Sequence, residues 1–222
     1  METRTTLSRK ERERLARREE ILAAAKKVFS ERGFEKATLD EIAEVAEFGK
    51  GTIYNYFSSK EELFASIIER GINSFQKFVS ERITNKISPK EKVATYVDAA
   101  FDFFQQHRQL FSILVLERHK LERVDNEWFN RCCQQQSEQL AFLIALIKEG
   151  IRIGEFKNLP ADKLAQFLTG MIHVSIFHAI RNPQLVNLKK DAKIIKELFF
   201  EGVALIDSNG LQLGQKKSGG NQ

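Results

Sequence analysis

Apolar residues recur at three- and four-residue steps along almost the whole chain, the period of a helix that buries one face. Leu15, Ile21, Leu22, Ala25, Val28 and Phe29 make the first such stripe. Gly33 follows it at the position that tolerates positive φ, with Phe34 placed to fold back on the last turn. Three further starts read as capping boxes, a hydroxyl followed three residues later by glutamate: Thr38–Glu41, Ser59–Glu62 and Ser88–Glu91. Pro89 sits at a first helical position, where its missing N–H does no harm. The spacing predicts helices over 39–46, from Gly51 to Phe57, and over 59–84, 89–107, 109–120, 125–153, 160–181 and 188–207, with Asn182-Pro183 separating the last two. The expected fold class is all-α.

Residues 164–180 are apolar nearly all round, and 194–206 almost as much so. A helix apolar on every side has to be covered on every side. A chain of this size covers one face of each, so the other faces are expected to meet a second copy, giving a homodimer through the helices near 160–181 and 188–207.

Composition supports this picture and narrows the function. The chain has 222 residues, 42% hydrophobic and 29% charged, too apolar for a disordered protein. Three prolines, and twelve glycines of which four lie in the last thirteen residues, leave few turns and favour long helices. No apolar run approaches the ~18 residues of a membrane span, and the charged start lacks the apolar stretch of a secretory signal. Two adjacent cysteines, Cys132 and Cys133, cannot staple distant segments, which fits a reducing cytoplasm. The net charge of +5 points weakly to polyanions, but residues 1–70 hold 14 basic and 14 acidic side chains. The placement of charge therefore matters more than its sum. Arg4, Arg9, Lys10, Arg12 and Arg14 precede the first packed turn, either as a flexible arm for phosphates or as a solvated run interleaved with Glu11 and Glu13.

The densest signal is TLDEIAEVAEFGKGTIYNYFSSKEEL, residues 38–63. It reads as a short helix burying Leu39, Ile42, Ala43 and Ala46, a tight turn at Phe48-Gly49, and a second short helix. At steps of about 100°, Ile53 and Phe57 of that second helix face the core, and Asn55 lies opposite with Gly51 beside it and Thr52 further round. Tyr54 and Tyr56 project to either side. A short amide toward base edges, a glycine that permits close approach and two phenolic hydroxyls toward the phosphate walls suit a helix in a DNA major groove. Thr38 leaves the first helix's N–H groups to meet a phosphate, and Lys60 adds a point charge. The rival reading makes Tyr54, Tyr56 and Phe57 plain packing residues of a helical hairpin.

Over residues 12–64 the sequence resembles the TetR family of bacterial transcription regulators: an amphipathic helix ending in ERGF, then T-x-x-x-I-A-x-x-A, then KGTIYNYFSSKEEL. Beyond residue 70 only length and helical character are similar. The resemblance implies an N-terminal three-helix helix-turn-helix domain (1–64, with its arm), a larger helical ligand-binding and dimerisation domain (65–207) and a tail (208–222). It also implies that Thr38, Lys50, Gly51, Thr52, Tyr54, Asn55, Tyr56 and Lys60 touch operator DNA. Across the turn the family usually has glycine, an aliphatic residue and serine, where this chain has Glu47, Phe48 and Gly49. A left-handed Glu47 would cost ~1 kcal/mol relative to glycine, and Gly49 offers no hydroxyl to a phosphate.

Family members carry a ligand cavity in the second domain. Phe101, Phe104, Trp128, Phe129, Cys132, Gln136, Phe167, Met171, Val174 and Phe177 are the residues expected to line it for a hydrophobic small molecule, although each alone also suits ordinary core. Asp98 and Asp102 read as a solvated face rather than a cation pair. His173 and His178 fall about 140° apart on a helix, poor for joint metal ligation. No phosphate loop, nucleophile elbow or catalytic pair appears, so neither an enzyme nor a cofactor or metal is expected. The reading is a homodimeric, ligand-responsive repressor of a pseudo-palindromic operator. Two alternatives stay open: a constitutive DNA binder without a switch, and a dimeric small-molecule-binding protein that has lost DNA.

Overall fold

Each helix boundary in the N-terminal part traces to a local device. The computed structural model describes residues 8–84, 88–113, 126–184 and 186–203, and the side chains of 126–133, 135, 136 and 203 also lie outside that description. Helix α1 (Arg9–Lys36) begins at a capping box between Ser8 and Glu11. Gly33 breaks its regularity at φ 74° and turns Phe34 back into the core, where its ring lies 4.8 Å from Phe64 and 5.7 Å from Phe29. Leu15, expected in the buried stripe, is exposed. Residues 9–17 of α1 are exposed all round, so Arg9, Lys10, Arg12 and Arg14 ride on an ordered helix rather than a flexible arm, while Arg4 lies outside the described residues.

Thr38 and Glu41 reciprocate as a capping box for α2 (Leu39–Val45), which buries Ile42 and Ala43. Glu47 adopts φ 57°, and Phe48 N–H donates to Ala43 O at 2.9 Å while Glu47 N–H donates to Glu44 O at 3.1 Å. Those two bonds close a Schellman turn around a left-handed residue that is usually glycine. Helix α3 (Lys50–Tyr54) follows, its last turn prolonged by Phe57 N–H to Ile53 O at 3.0 Å. Helix α4 (Lys60–Ser80) stops short of the expected Thr84. Its start has Glu62 N–H on Ser59 Oγ as expected, but the Glu62 carboxylate turns to Ser58 instead, accepting from its N–H at 2.7 Å and its hydroxyl at 2.6 Å. Those bonds lower the Glu62 pKa.

Helix α5 (Pro89–Gln106) opens on the Ser88–Glu91 box and buries Val93, Val97, Ala100, Phe101 and Phe104 along one face as expected. Phe103 is buried too, against Phe75, Phe78 and His107. Residues 108–113 are helical (α6), followed by α7 (Asn126–Arg152), α8 (Ala161–Arg181) and α9 (Leu188–Val203). The chain is all-α.

Its described residues group into two units, the first made of those up to Ile72 and from Arg108 to Cys132, the second of those from Asn73 to His107 and from Cys133 onward. In the first, Phe29, Phe34, Ile42, Ile53, Phe57 and Phe64 form the core. Arg18 braces it, donating to Ser66 Oγ at 3.1 Å with its guanidinium 4.9 Å from the Phe57 ring centroid. In the second, α5, α8 and α9 pack together. Asp98, expected on a solvated face, binds Lys196 of α9 at 2.6 and 2.7 Å. Phe156 fills the space beside Gly150, where a Cβ would strike its ring. No helix among the described residues is long and apolar enough to cross a membrane.

Candidate functional site

The short α3 owes its orientation to two anchors. Ile53 and Phe57 are buried, and the opposite side presents Asn55 and Gly51, both exposed, with Thr52 half-buried between the two surfaces. Tyr54 is 49% exposed and Tyr56 is half-buried. A Cβ on Gly51 would meet nothing within 4 Å, and its φ needs no glycine. The first unit's own packing therefore leaves that space open for something outside it. The residues expected to read bases stand together on one outward surface, and Tyr54 stands beside them.

Three expected contacts are already engaged within the chain. The Thr38 hydroxyl accepts from Glu41 N–H at 3.2 Å, and Glu41 Oε2 accepts from Thr38 N–H at 3.1 Å. Lys50 Nζ lies 2.7 Å from Asp40 Oδ1, and this carboxylate raises the lysine's pKa. Lys60 departs most from expectation. Its ammonium donates to the carbonyls of Phe34 (2.8 Å), Glu35 (3.3 Å) and Ala37 (3.1 Å), and stands 4.5 Å from the Phe34 ring centroid. Its three donors are thus engaged at the end of α1, where it acts as a clamp. Asp40 and Arg18 escaped the sequence reading because their roles depend on partners brought together by folding.

The expected effector lining is described only in part. Phe101 and Phe104 are buried in the α5 core, and Met171 is half-buried. Phe167, Val174 and Phe177 are 65%, 69% and 42% exposed among the described residues. They form a stripe along the outside of α8, because Leu164, Leu168, Ile172 and Ile176 on the other side take the inward face. Ile194 and Leu198 are exposed on α9. The side chains of Trp128, Phe129, Cys132 and Gln136 lie outside the described residues. A cleft of about 100 Å³ opens between α4, α5 and α7, lined by Phe75, Gln76, Val79, Ser80, Tyr96, Gln139 and Phe142. Burial pushes the Tyr96 hydroxyl up to about 12, and no described residue hydrogen-bonds to it. Among the described residues no three His, Cys, Asp or Glu side chains converge on a metal-sized space.

Residues 21–67 match the family model described as "Bacterial regulatory proteins, tetR family". The "HTH-type transcriptional repressor BepR" of Brucella suis is 31% identical, across 70% of this chain and 76% of its own length. The "Fatty acid metabolism regulator protein" of Bacillus subtilis is 28% identical, across 83% of this chain and 94% of its own. Among solved structures, a "transcriptional regulator FadR from Bacillus subtilis in complex with stearoyl-CoA" superposes with a TM-score of 0.72 at 26% identity, covering 83% of this chain and 98% of that one. All three are named as regulators, not enzymes. With the helix-turn-helix in place and likeness of this extent, the chain belongs to the TetR family of bacterial transcription regulators.

Proposed function

We propose that the protein is a homodimeric repressor that binds a pseudo-palindromic operator and is released by a hydrophobic small molecule, of which a long-chain acyl-CoA is the leading class. One observation carries the DNA reading: Asn55 and Gly51 stand exposed on the side of α3 opposite buried Ile53 and Phe57. An amide in that position suits adenine, whose N6 and N7 it pairs with as donor and acceptor. Thr38, Lys50, Thr52, Tyr54 and Tyr56 surround it as the phosphate-facing set.

The dimer reading is supported by the stripe of Phe167, Val174 and Phe177 on α8, beside Ile194 and Leu198 on α9. A Cβ on Gly170 would meet nothing within 4 Å, which leaves room on this face for close approach by a second helix. Two-fold pairing would set two recognition helices on half-sites about 34–36 Å apart. The cytoplasm, where the chromosome is, is the place for such a protein.

The acyl-CoA class is supported by the stearoyl-CoA held by the Bacillus subtilis regulator and by the cleft's chemistry. Phe75, Val79 and Phe142 give it apolar walls, and the buried Tyr96 hydroxyl suits an acceptor such as a thioester carbonyl. Among the described residues the cleft measures about 100 Å³, smaller than a long chain needs, and a ligand of that length would part the helices. A ligand that fits only the parted arrangement binds it better, and that difference is what shifts a population.

The test selects binding sites from a random duplex library and titrates stearoyl-CoA against the selected complex. The expected outcome is a palindromic consensus, two protomers per site, and release by the acyl-CoA but not by free coenzyme A. Absence of any enriched sequence would overturn the DNA reading. Enrichment without release would favour the constitutive binder.

A further inference from the structure

Lys50 does not stand free on the face that carries Asn55. Its Nζ is 2.7 Å from Oδ1 and 2.9 Å from Oδ2 of Asp40, so both carboxylate oxygens clasp one ammonium across the turn between α2 and α3. The two side chains are 57% and 59% exposed. A pair so exposed adds little to folding, and stability does not explain why it joins these two helices. It has a direct consequence for DNA. Affinity for arbitrary duplex comes from cations that neutralise phosphates and release their counterions. A cation already neutralised by a neighbour releases little, and the carboxylate that holds it repels the same phosphates.

We propose that Asp40 is a specificity-determining residue: by clasping Lys50 it withholds a phosphate contact from arbitrary DNA, so that tight binding depends on the base contacts of the proper site. The idea rests on the DNA-binding reading above. On the operator, base contacts by the rest of α3 hold the helix in the groove whether or not Lys50 exchanges Asp40 for a phosphate.

The experiment measures binding by fluorescence anisotropy on the selected operator and on an unrelated duplex, at salt rising from about 50 mM. It compares the full chain with Asp40→Asn, Lys50→Met and the double variant, with Asp40→Ser as a second removal of the same charge. Asp40→Asn and Asp40→Ser should each tighten the unrelated duplex several-fold and steepen its salt slope by about 0.9 per bound protomer. The operator should gain less, so the ratio between the two sites narrows. In the Lys50→Met background the gain should vanish. An unchanged affinity for the unrelated duplex would overturn the proposal, and so would an equal gain in both backgrounds, which would mark a general field effect. Failure of the unsubstituted protein to bind any duplex would sink the DNA reading and this proposal together. Normal binding with a silent Asp40→Asn would sink only the proposal.

Discussion

Lys60 Nζ sits 2.8 Å from the carbonyl oxygen of Phe34 and 4.5 Å from the centroid of the same residue's ring. With Glu35 O and Ala37 O also in reach, one ammonium from the start of α4 closes the end of α1 and holds the peptide that leads into Thr38. A lysine at this place acts on the recognition unit by fixing where α2 begins.

Lys60→Ala should therefore destabilise the chain by about 1.5–3 kcal/mol, the worth of charge-assisted hydrogen bonds to partly buried carbonyls. DNA affinity should fall with an unchanged salt slope. A variant that melts normally but loses about 0.9 from the slope per protomer would mark Lys60 as a phosphate contact.

Glu47 stores strain at the turn. A left-handed conformation costs an L-residue roughly 1–2 kcal/mol, and glycine gives back about 0.4–1 through its freer unfolded chain. Glu47→Gly should raise stability by about 0.5–1 kcal/mol, seen as a melting temperature up by about 2–4 °C per kcal/mol. Glu47→Ala should gain nothing. A lower melting temperature for the glycine variant would show that the Glu47 side chain contributes a stabilising contact.

Val174→Arg places a charge in the middle of the exposed stripe on α8. Helical content should be retained, since the residue is 69% exposed within one chain. Sedimentation should show a monomer with its operator affinity largely lost. A stable dimer of the variant would move the interface elsewhere.

Features set by neighbours in sequence were legible from the chain alone. The Thr38–Glu41 and Ser88–Glu91 boxes, the positive φ at Gly33 and the buried stripe of α5 all arise within a turn or two of helix. Ser58 and Ser59 show the limit of that rule, since adjacent hydroxyls both reach Glu62 and the pattern cannot choose between them. The clamp of Lys60 and the pair of Asp98 with Lys196 join residues 26 and 98 positions apart, and no periodicity encodes such partners. On α8 two apolar stripes share one helix. Periodicity shows that both need covering, but Leu168 and Ile176 turn inward while Phe167 and Val174 turn outward only because α5 and α9 pack where they do.

The most direct measurement is competition of the selected operator against an unrelated duplex at fixed salt, before and after Asn55→Ala. Because Asn55 is exposed, the variant should fold and melt as the parent does. It should lose ~1–3 kcal/mol for the operator, roughly five- to 150-fold, with the unrelated duplex bound as before. Equal affinity for both duplexes in the parent, or an operator affinity that Asn55→Ala leaves untouched, would contradict base reading by α3.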